Sequence, residues 1–511
     1  MLTAPREWQL LDDSINHVPG ISARRAETVL LAGKQPKRTV LVAVIDGGVD
    51  TAQADLKANL WTNAKEIPGN GKDDDGDGYV DDVYGWNFLG NPDGRDVHYE
   101  RLEVTRLTAD CQAAEHGATD SVPPTERGQC STITADYQKQ KAEAQQQLQQ
   151  MRLIDAVYDR LRQALGTDSL TTERVTALQP TTPDVQQARA IYLRLIAQGI
   201  SPSDVTEAKK ELETRVTYNL DLTYNPRPIV GDDPTNVTQH IYGNADVMGP
   251  DALHGTHVSG IIAALRGNGL GIDGIAPDVR VLMVRAVPDG DERDKDVANA
   301  IRYAVDRGAN IISMSFGKPY SPEKAAVDAA VKYADAHGVL MVHAAGNDGK
   351  DLDSTANGNF PTRNYLGGGS AQNWIEVGAS SWKGGDSLAA SFSNYGHQQV
   401  DVFAPGVDVL STVPGGYRRE SGTSMAAPMV SGVAALLMSY YPTLTAQQVK
   451  HIILSSATSY AADTVTQPGS QNGAQVPFGS LSVTGGIVNA YAAIRMAEQM
   501  SGGKAQGAQP Q

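Results

Sequence analysis

The chain has 511 residues, 41% hydrophobic and 20% charged, ordinary globular proportions that exclude wholesale disorder, a collagen-like repeat or a coiled-coil rod. Lys plus Arg number 43 against 59 Asp plus Glu, a net charge of −16, which argues against a basic surface for nucleic acid or anionic lipid and suits solubility and cation binding. No run of about 18 apolar residues occurs, and the start, MLTAPREWQL, lacks a basic segment followed by an apolar core, so no membrane-spanning segment is expected, while a trimmed mature form would read the same way.

Residues 1–38 read as an N-terminal arm. From Thr39 to Ile45 the run TVLVAVI predicts a buried strand that stops at Asp46, followed by Gly47 and Gly48. It opens a first part of the main domain over 39–94. There, GNGKDDDGDGYVDD sets Asp73, Asp75, Asp77 and Asp81 at alternating positions, with Gly78 allowing a sharp turn. Hard oxygen ligands in that spacing resemble an EF-hand calcium loop. The position for its bidentate Glu is Tyr84, and no helical pattern follows. The expectation is therefore a calcium loop of another design, with a solvated acidic turn as the alternative.

Between 95 and 250 strand-like runs give way to sequence such as QKQKAEAQQQLQQMRLIDAVYDRLRQAL. Apolar residues at helical spacing predict helices over about Ala135–Leu165, Asp184–Ala197 and Pro202–Thr214, with Ser201 or Ser203 as a cap. The region is expected to be a mainly helical insertion. It holds the two cysteines, Cys111 and Cys130, too few for a zinc ribbon or a disulfide-built fold. A bond between them would close a loop of about 20 residues worth roughly 3 kcal/mol; bonded and free thiols both remain open.

Past 250 the apolar runs return: VRVLMVRAV from Val279, ANIISMS from Ala309, GVLMVHAAG from Gly338, WIEVGAS from Trp374 and VDVFAPG from Val400. Helical patterns at Asp294–Arg307 and Pro322–Ala336 fall between several of them. Such alternation implies an α/β three-layer sandwich with a mostly parallel central sheet, whose ligands bind at the carboxyl ends of the strands. The second part of the main domain is expected over 251–498. The Gly- and Gln-rich 499–511 is expected to be a disordered tail.

Three islands carry chemistry: Asp46 in VAVIDGG, His254 in HGTHVSGIIAAL and Ser424 in SGTSMAAPMVSGVAALLM. A serine hydroxyl is a poor nucleophile unless an imidazole removes its proton and a carboxylate orients that imidazole. Singly, each has a bland explanation as a turn acid, a polar helix start or an N-cap. Jointly, in type and in the order Asp, His, Ser, they resemble the subtilisin-like serine proteases, the subtilases. The resemblance covers about Val40–Asp93 and Tyr242–Ala435. It implies a subtilisin-like fold and an endopeptidase working through an acyl-enzyme, with Asp46 as orienting acid, His254 as general base and acid, and Ser424 as nucleophile. Gly422 and Ala426 fit a tight turn into a buried helix whose dipole favours developing negative charge, and Pro428 falls early in that helix, where a missing N–H costs least.

Asn347 in AAGNDG resembles the family's oxyanion-hole Asn, with the backbone N–H of Ser424 as second donor; a turn residue tolerant of positive φ is the alternative. His257 could pair with His254 on a metal, but no further ligand stands at zinc spacing, and the resemblance makes it structural. Ser315, Phe316 and Gly317 in SMSFG resemble the strand that pairs with an extended peptide. Ala344, Ala345 and Gly346 match one wall of the primary specificity pocket. Asn359 lies near its floor, before Phe360 and a Pro361 that permits a cis peptide. No acid stands at that floor, so no strict Lys or Arg preference is expected.

The resemblance further implies structural Ca2+, no organic cofactor, polypeptide substrates without nucleic-acid or membrane partners, and a secreted or periplasmic location; it leaves the oligomeric state open. Two departures stand out. The 208-residue interval from Asp46 to His254 is long for the family, and its insertion would form either a rim limiting access to the cleft or a peripheral decoration. Gly47 stands where the family often has Ser or Thr. The 45 residues before Asp46 are too few for an inhibitory propeptide plus an arm, so a propeptide has been removed or is lacking. Rival readings are a catalytically silent peptide-binding module and a restricted exopeptidase.

Overall fold

The computed structural model describes residues 3–117, 122–123 and 126–502. They fall into two compact units, one within Met1–His98 and Pro226–Gln511, the other within Tyr99–Asn225.

The first unit is built on a nine-stranded sheet. Its chain-order strands are β1 (Val40–Asp46), β2 (Gly85–Asn87), β3 (Val279–Arg285), β4 (Ile311–Met314), β5 (Leu340–Ala344), β6 (Trp374–Ser380) and β7 (Val402–Pro405), with the hairpins β8 (Val409–Val413) with β9 (Gly416–Glu420) and β11 (Thr464–Thr466) with β12 (Gln475–Pro477) lying outside it, and β10 (Thr458–Ser459) and β13 (Gly486–Ile487) completing one edge. The spatial order is β10-β13-β7-β6-β5-β4-β1-β3-β2. Every neighbouring pair is parallel except β10 with β13.

Residues along β1 divide between two cores, as a strand buried on both faces requires. Val40, Val42 and Val44 enter one core with α1 (Leu253–Ala263), α4 (Thr423–Tyr440), α5 (Ala446–Ser455) and α6 (Ala490–Gly502). Ala43 and Ile45 enter the other, with α2 (Asp294–Asp306) and α3 (Lys324–Ala336). Each fully buried Val or Ile is worth about 1.5–3 kcal/mol. The result is the three-layer α/β sandwich, with the carboxyl ends of β1, β3, β4 and β5 side by side.

The second unit is helical, with helices at Glu103–Glu115, Cys130–Leu165, Thr172–Ala177, Pro183–Ala197 and Pro202–Thr214. Tyr158, Leu161, Val175, Ala188, Tyr192 and Val205 form its core. Ser201 caps the last helix in a reciprocal capping box with Asp204, satisfying otherwise orphaned N–H groups. Cys111 and Cys130 are disulfide-bonded. The long helix begins at Cys130 rather than Ala135.

Three expected boundaries move. The insertion was expected over 95–250, but residues 95–98 and 226–250 belong to the sheet unit. Arg227 forms buried ion pairs at 2.6 Å with Asp232 and with Asp296 of α2, and Trp86 Nε1 donates to Tyr242 O at 2.8 Å. Polar residues whose burial depends on distant partners look like loop texture in a linear sequence. At the other end, α6 continues to Gly502, past the expected start of the tail at 499; residues 503–511 lie outside the described residues.

Candidate active site

Asp46 is the last residue of β1 and is buried. Its Oδ1 accepts from Gly47 N–H at 2.7 Å. His254 is the second residue of α1, and its Nδ1 lies 2.8 Å from Asp46 Oδ1 and 3.0 Å from Oδ2. The next residue must be small: a Cβ at Gly255 would lie 2.2 Å from Gly48 O and 3.2 Å from Asp46 Cβ. The glycine therefore lets the helix start approach the strand end closely enough for the contact. The His254 side chain keeps 43% of its exposure. Burial pulls its pKa down, but the Asp46 carboxylate, by charge and hydrogen bond, outweighs this and leaves it above the ordinary 6.5. With Nδ1 engaged by the carboxylate, Nε2 is the ring atom left for proton transfer.

Ser424 is the second residue of α4. Its hydroxyl donates to Ser315 O at 3.1 Å, and Ser315 Oγ donates to Ser424 O at 3.0 Å. Ser315 lines, with Asp46 and His254, one cavity of about 270 Å3. In this arrangement the Ser424 hydroxyl faces Ser315 rather than the imidazole; hydrogen bonds of this kind often tighten only when substrate is bound.

Asn347 follows β5. Its Oδ1 accepts from Thr423 N at 2.8 Å and Thr423 Oγ1 at 3.0 Å. That anchorage turns Nδ2 toward α4: a Cβ at Gly422 would lie 3.5 Å from Asn347 Nδ2 and 3.6 Å from Ser424 N. Two N–H donors thus border one point beside the serine. Thr423, which orients Asn347, escaped the sequence reading, although its place directly before Ser424 was the available signal.

His257 is fully buried, with Nε2 3.1 Å from Val409 O and 3.2 Å from Arg418 O. Burial pushes its pKa down to about 4, so the ring is neutral and one donor ties α1 to the β8–β9 hairpin. This is a structural role.

Of the expected substrate-binding residues, Ala344, Gly317 and Gly346 lie around Asn359. Asn359 Nδ2 donates to Ala344 O at 2.9 Å. A Cβ on Gly317 would fall 2.2 Å from Asn359 Oδ1, and one on Gly346 would lie 3.4 Å from the same atom. Ala344 and Ala345 are buried, and the Phe360–Pro361 bond is cis. Phe316 meets His343 edge-on at 6.3 Å. A cavity of about 200 Å3 next to Asn359 is also lined by Glu376, whose oxygens are engaged by His343 Nδ1 and Trp374 Nε1, each at 2.8 Å.

In the acidic loop, Asp73 and Asp75 come together with Glu66, each offering a carboxylate oxygen within 4.8 Å of the others. The Asp75 side chain is 3% exposed, and its Oδ1 has no hydrogen-bond partner among the described residues, an arrangement that fits a hard cation. Asp77 turns instead to Arg307, and Asp81 accepts from Asn70 N and Gly71 N at 3.2 and 2.8 Å. Glu66 stands outside the alternating acids, and no spacing rule points to it.

This three-layer α/β sandwich carries a hydrogen-bonded Asp46–His254 pair at the carboxyl end of β1 and Ser424 at the start of a buried helix. The model of the subtilase family matches residues 37–477, and the chain belongs to that family. It is 42% identical over 218 residues to the thermophilic serine proteinase of Bacillus sp. (strain AK1), covering 42% of this chain and 48% of that one. Over 208 residues it is 38% identical to subtilisin DY of Bacillus licheniformis, covering 40% of this chain and 70% of the relative. Alkaline elastase YaB of Bacillus sp. (strain YaB) is 38% identical over 244 residues, 47% and 55% of the two chains. The chain spans about half the length of several of the curated relatives it matches.

Proposed function

We propose that the chain is a serine endopeptidase that cleaves peptide bonds through an acyl-enzyme on Ser424. The observation that carries this reading is the 2.8 Å contact of His254 Nδ1 with Asp46, in a cavity also lined by Ser315, the hydrogen-bond partner of Ser424. His254 Nε2 takes the Ser424 proton as Oγ attacks the carbonyl carbon, and Asp46 stabilises the imidazolium. Asn347 Nδ2 and the Ser424 N–H receive the oxyanion. The imidazolium then protonates the leaving amine, and water repeats the sequence to release the acid.

Ser315–Gly317 pair with the substrate backbone, which gives broad sequence tolerance, while Ala344–Gly346 and Asn359 bound the side-chain pocket. Glu66, Asp73 and Asp75 hold a structural Ca2+. The Cys111–Cys130 disulfide supports an oxidising, extracytoplasmic location. A serine-directed fluorophosphonate should label the chain and fail to label Ser424→Ala; a folded parent that takes no label overturns the reading. Internal cleavage of denatured protein, rather than stepwise terminal release, should accompany labelling.

A further inference from the structure

Arg285 ends β3, where its register partners are Asp46 on β1 and Asn87 on β2. It is 2% exposed, and a guanidinium taken out of water is tolerated only where its donors are met. Nε donates to Gly47 O at 2.7 Å, one terminal nitrogen to Asn87 Oδ1 at 2.9 Å, and the other to Val97 O at 2.5 Å. The nearest carboxylate contact is loose, 3.9 Å to Asp96 Oδ1. This is therefore a fork joining three chain segments rather than an ion pair, a geometry that a lysine ammonium does not reproduce. Space is reserved for it, since a Cβ at Gly249 would lie 2.2 Å from Arg285 Nε.

The Gly47 arm bears on the chemistry. Asp46 is followed by two glycines, so no side chain fixes the turn, and Gly48 has a φ of 151°. Such a segment is conformationally permissive. Asp46 O is held by Ala286 N at 3.1 Å and Val287 N at 3.3 Å; the next fixed point along the chain is Gly47 O, on Arg285. Between these two points lies the Gly47 N–H that donates to Asp46 Oδ1, the oxygen that also meets His254 Nδ1.

We propose that Arg285 is a positioning residue for the Asp46–His254 pair, acting through the Gly47 carbonyl. This rests on the endopeptidase reading. Burial lowers the Arg285 pKa to about 10, against the opposing pull of Asp96, Asp246 and Asp251, so the fork stays charged wherever His254 titrates.

The test compares the full-length parent with Arg285→Met and Arg285→Lys. With the clamp gone, kcat should fall about tenfold or more and KM should stay within about twofold. The acid limb of kcat/KM should move to lower pH, because a looser Asp46 no longer raises His254. The low-field proton resonance of His254 Nδ1–H should broaden or move upfield. Arg285→Lys, with one donor still able to reach Gly47 O, should recover part of each change. A folded Arg285→Met with the parent's pH limb and resonance overturns the inference. If that variant does not fold, Arg285→Lys decides: an altered limb and resonance support it, and parental values overturn it. The resonance needs no turnover, so it judges Arg285 even if the parent takes no fluorophosphonate, the outcome that defeats the endopeptidase reading instead.

Discussion

Replacing Asn347 separates chemistry from folding because its two side-chain atoms have different tasks. In the proposed mechanism Nδ2 is an oxyanion donor, and loss of one such preorganised donor costs about 3–4 kcal/mol, or roughly 100- to 1,000-fold in kcat. That magnitude was measured on a subtilisin and is borrowed from a relative. Oδ1 accepts the two hydrogen bonds from Thr423, each worth about 0.5–1.5 kcal/mol of stability. Asn347→Leu should therefore lose both, with kcat down roughly 100-fold or more and stability down by about 1–3 kcal/mol. Asn347→Asp keeps the acceptor for Thr423 but sets a carboxylate oxygen against the developing negative charge. It should melt near the parent yet lose at least as much kcat. Both are read with a chromogenic peptide anilide, normalised by fluorophosphonate titration, beside a melting curve. A folded Asn347→Asp with kcat within about threefold of the parent, or a loss seen only in KM, refutes the donor role.

Because His254 is held above 6.5 by Asp46, the neutral base should be lost as pH falls through a value above 6.5. Asp46→Asn should move that limb down while lowering kcat by about 10,000-fold; pH–rate profiles check both. The stability sign is opposite: a raised folded pKa stabilises most below the unfolded value and fades as pH rises through the folded one, so the melting deficit of Asp46→Asn should be larger in acid than in alkali. Chelation should lower the melting temperature and excess Ca2+ restore it, since a cation at about 100 times its Kd contributes about 2.7 kcal/mol; Asp75→Asn should abolish that response. Reducing the disulfide, which spans a sequence separation of 19, should cost the helical unit about 3 kcal/mol, seen as faster hydrogen exchange within residues 99–225 and not within the sheet.

What a linear chain shows is whatever local pattern carries. The apolar runs within 40–45 and 281–284 announce strands buried on both faces, and HGTHVSG and GTSMAAP announce helix starts bearing a histidine and a serine, because the close packing at Gly255 and the tight turn at Gly422 restrict residue choice nearby. The helix Pro202–Thr214 was legible to its last residue from its cap and period. Contacts across long separations were not. Nothing near Arg227 reveals that Asp296 will bury it, so residues 226–250 resembled insertion. Glu66 joins Asp73 and Asp75 only after the loop folds back, and Arg285 reads as one more polar residue until β3 lies beside β1. Hydrophobic periodicity is written residue by residue. The partners of a buried charge are chosen by sheet order and register, which exist only once the strands have assembled.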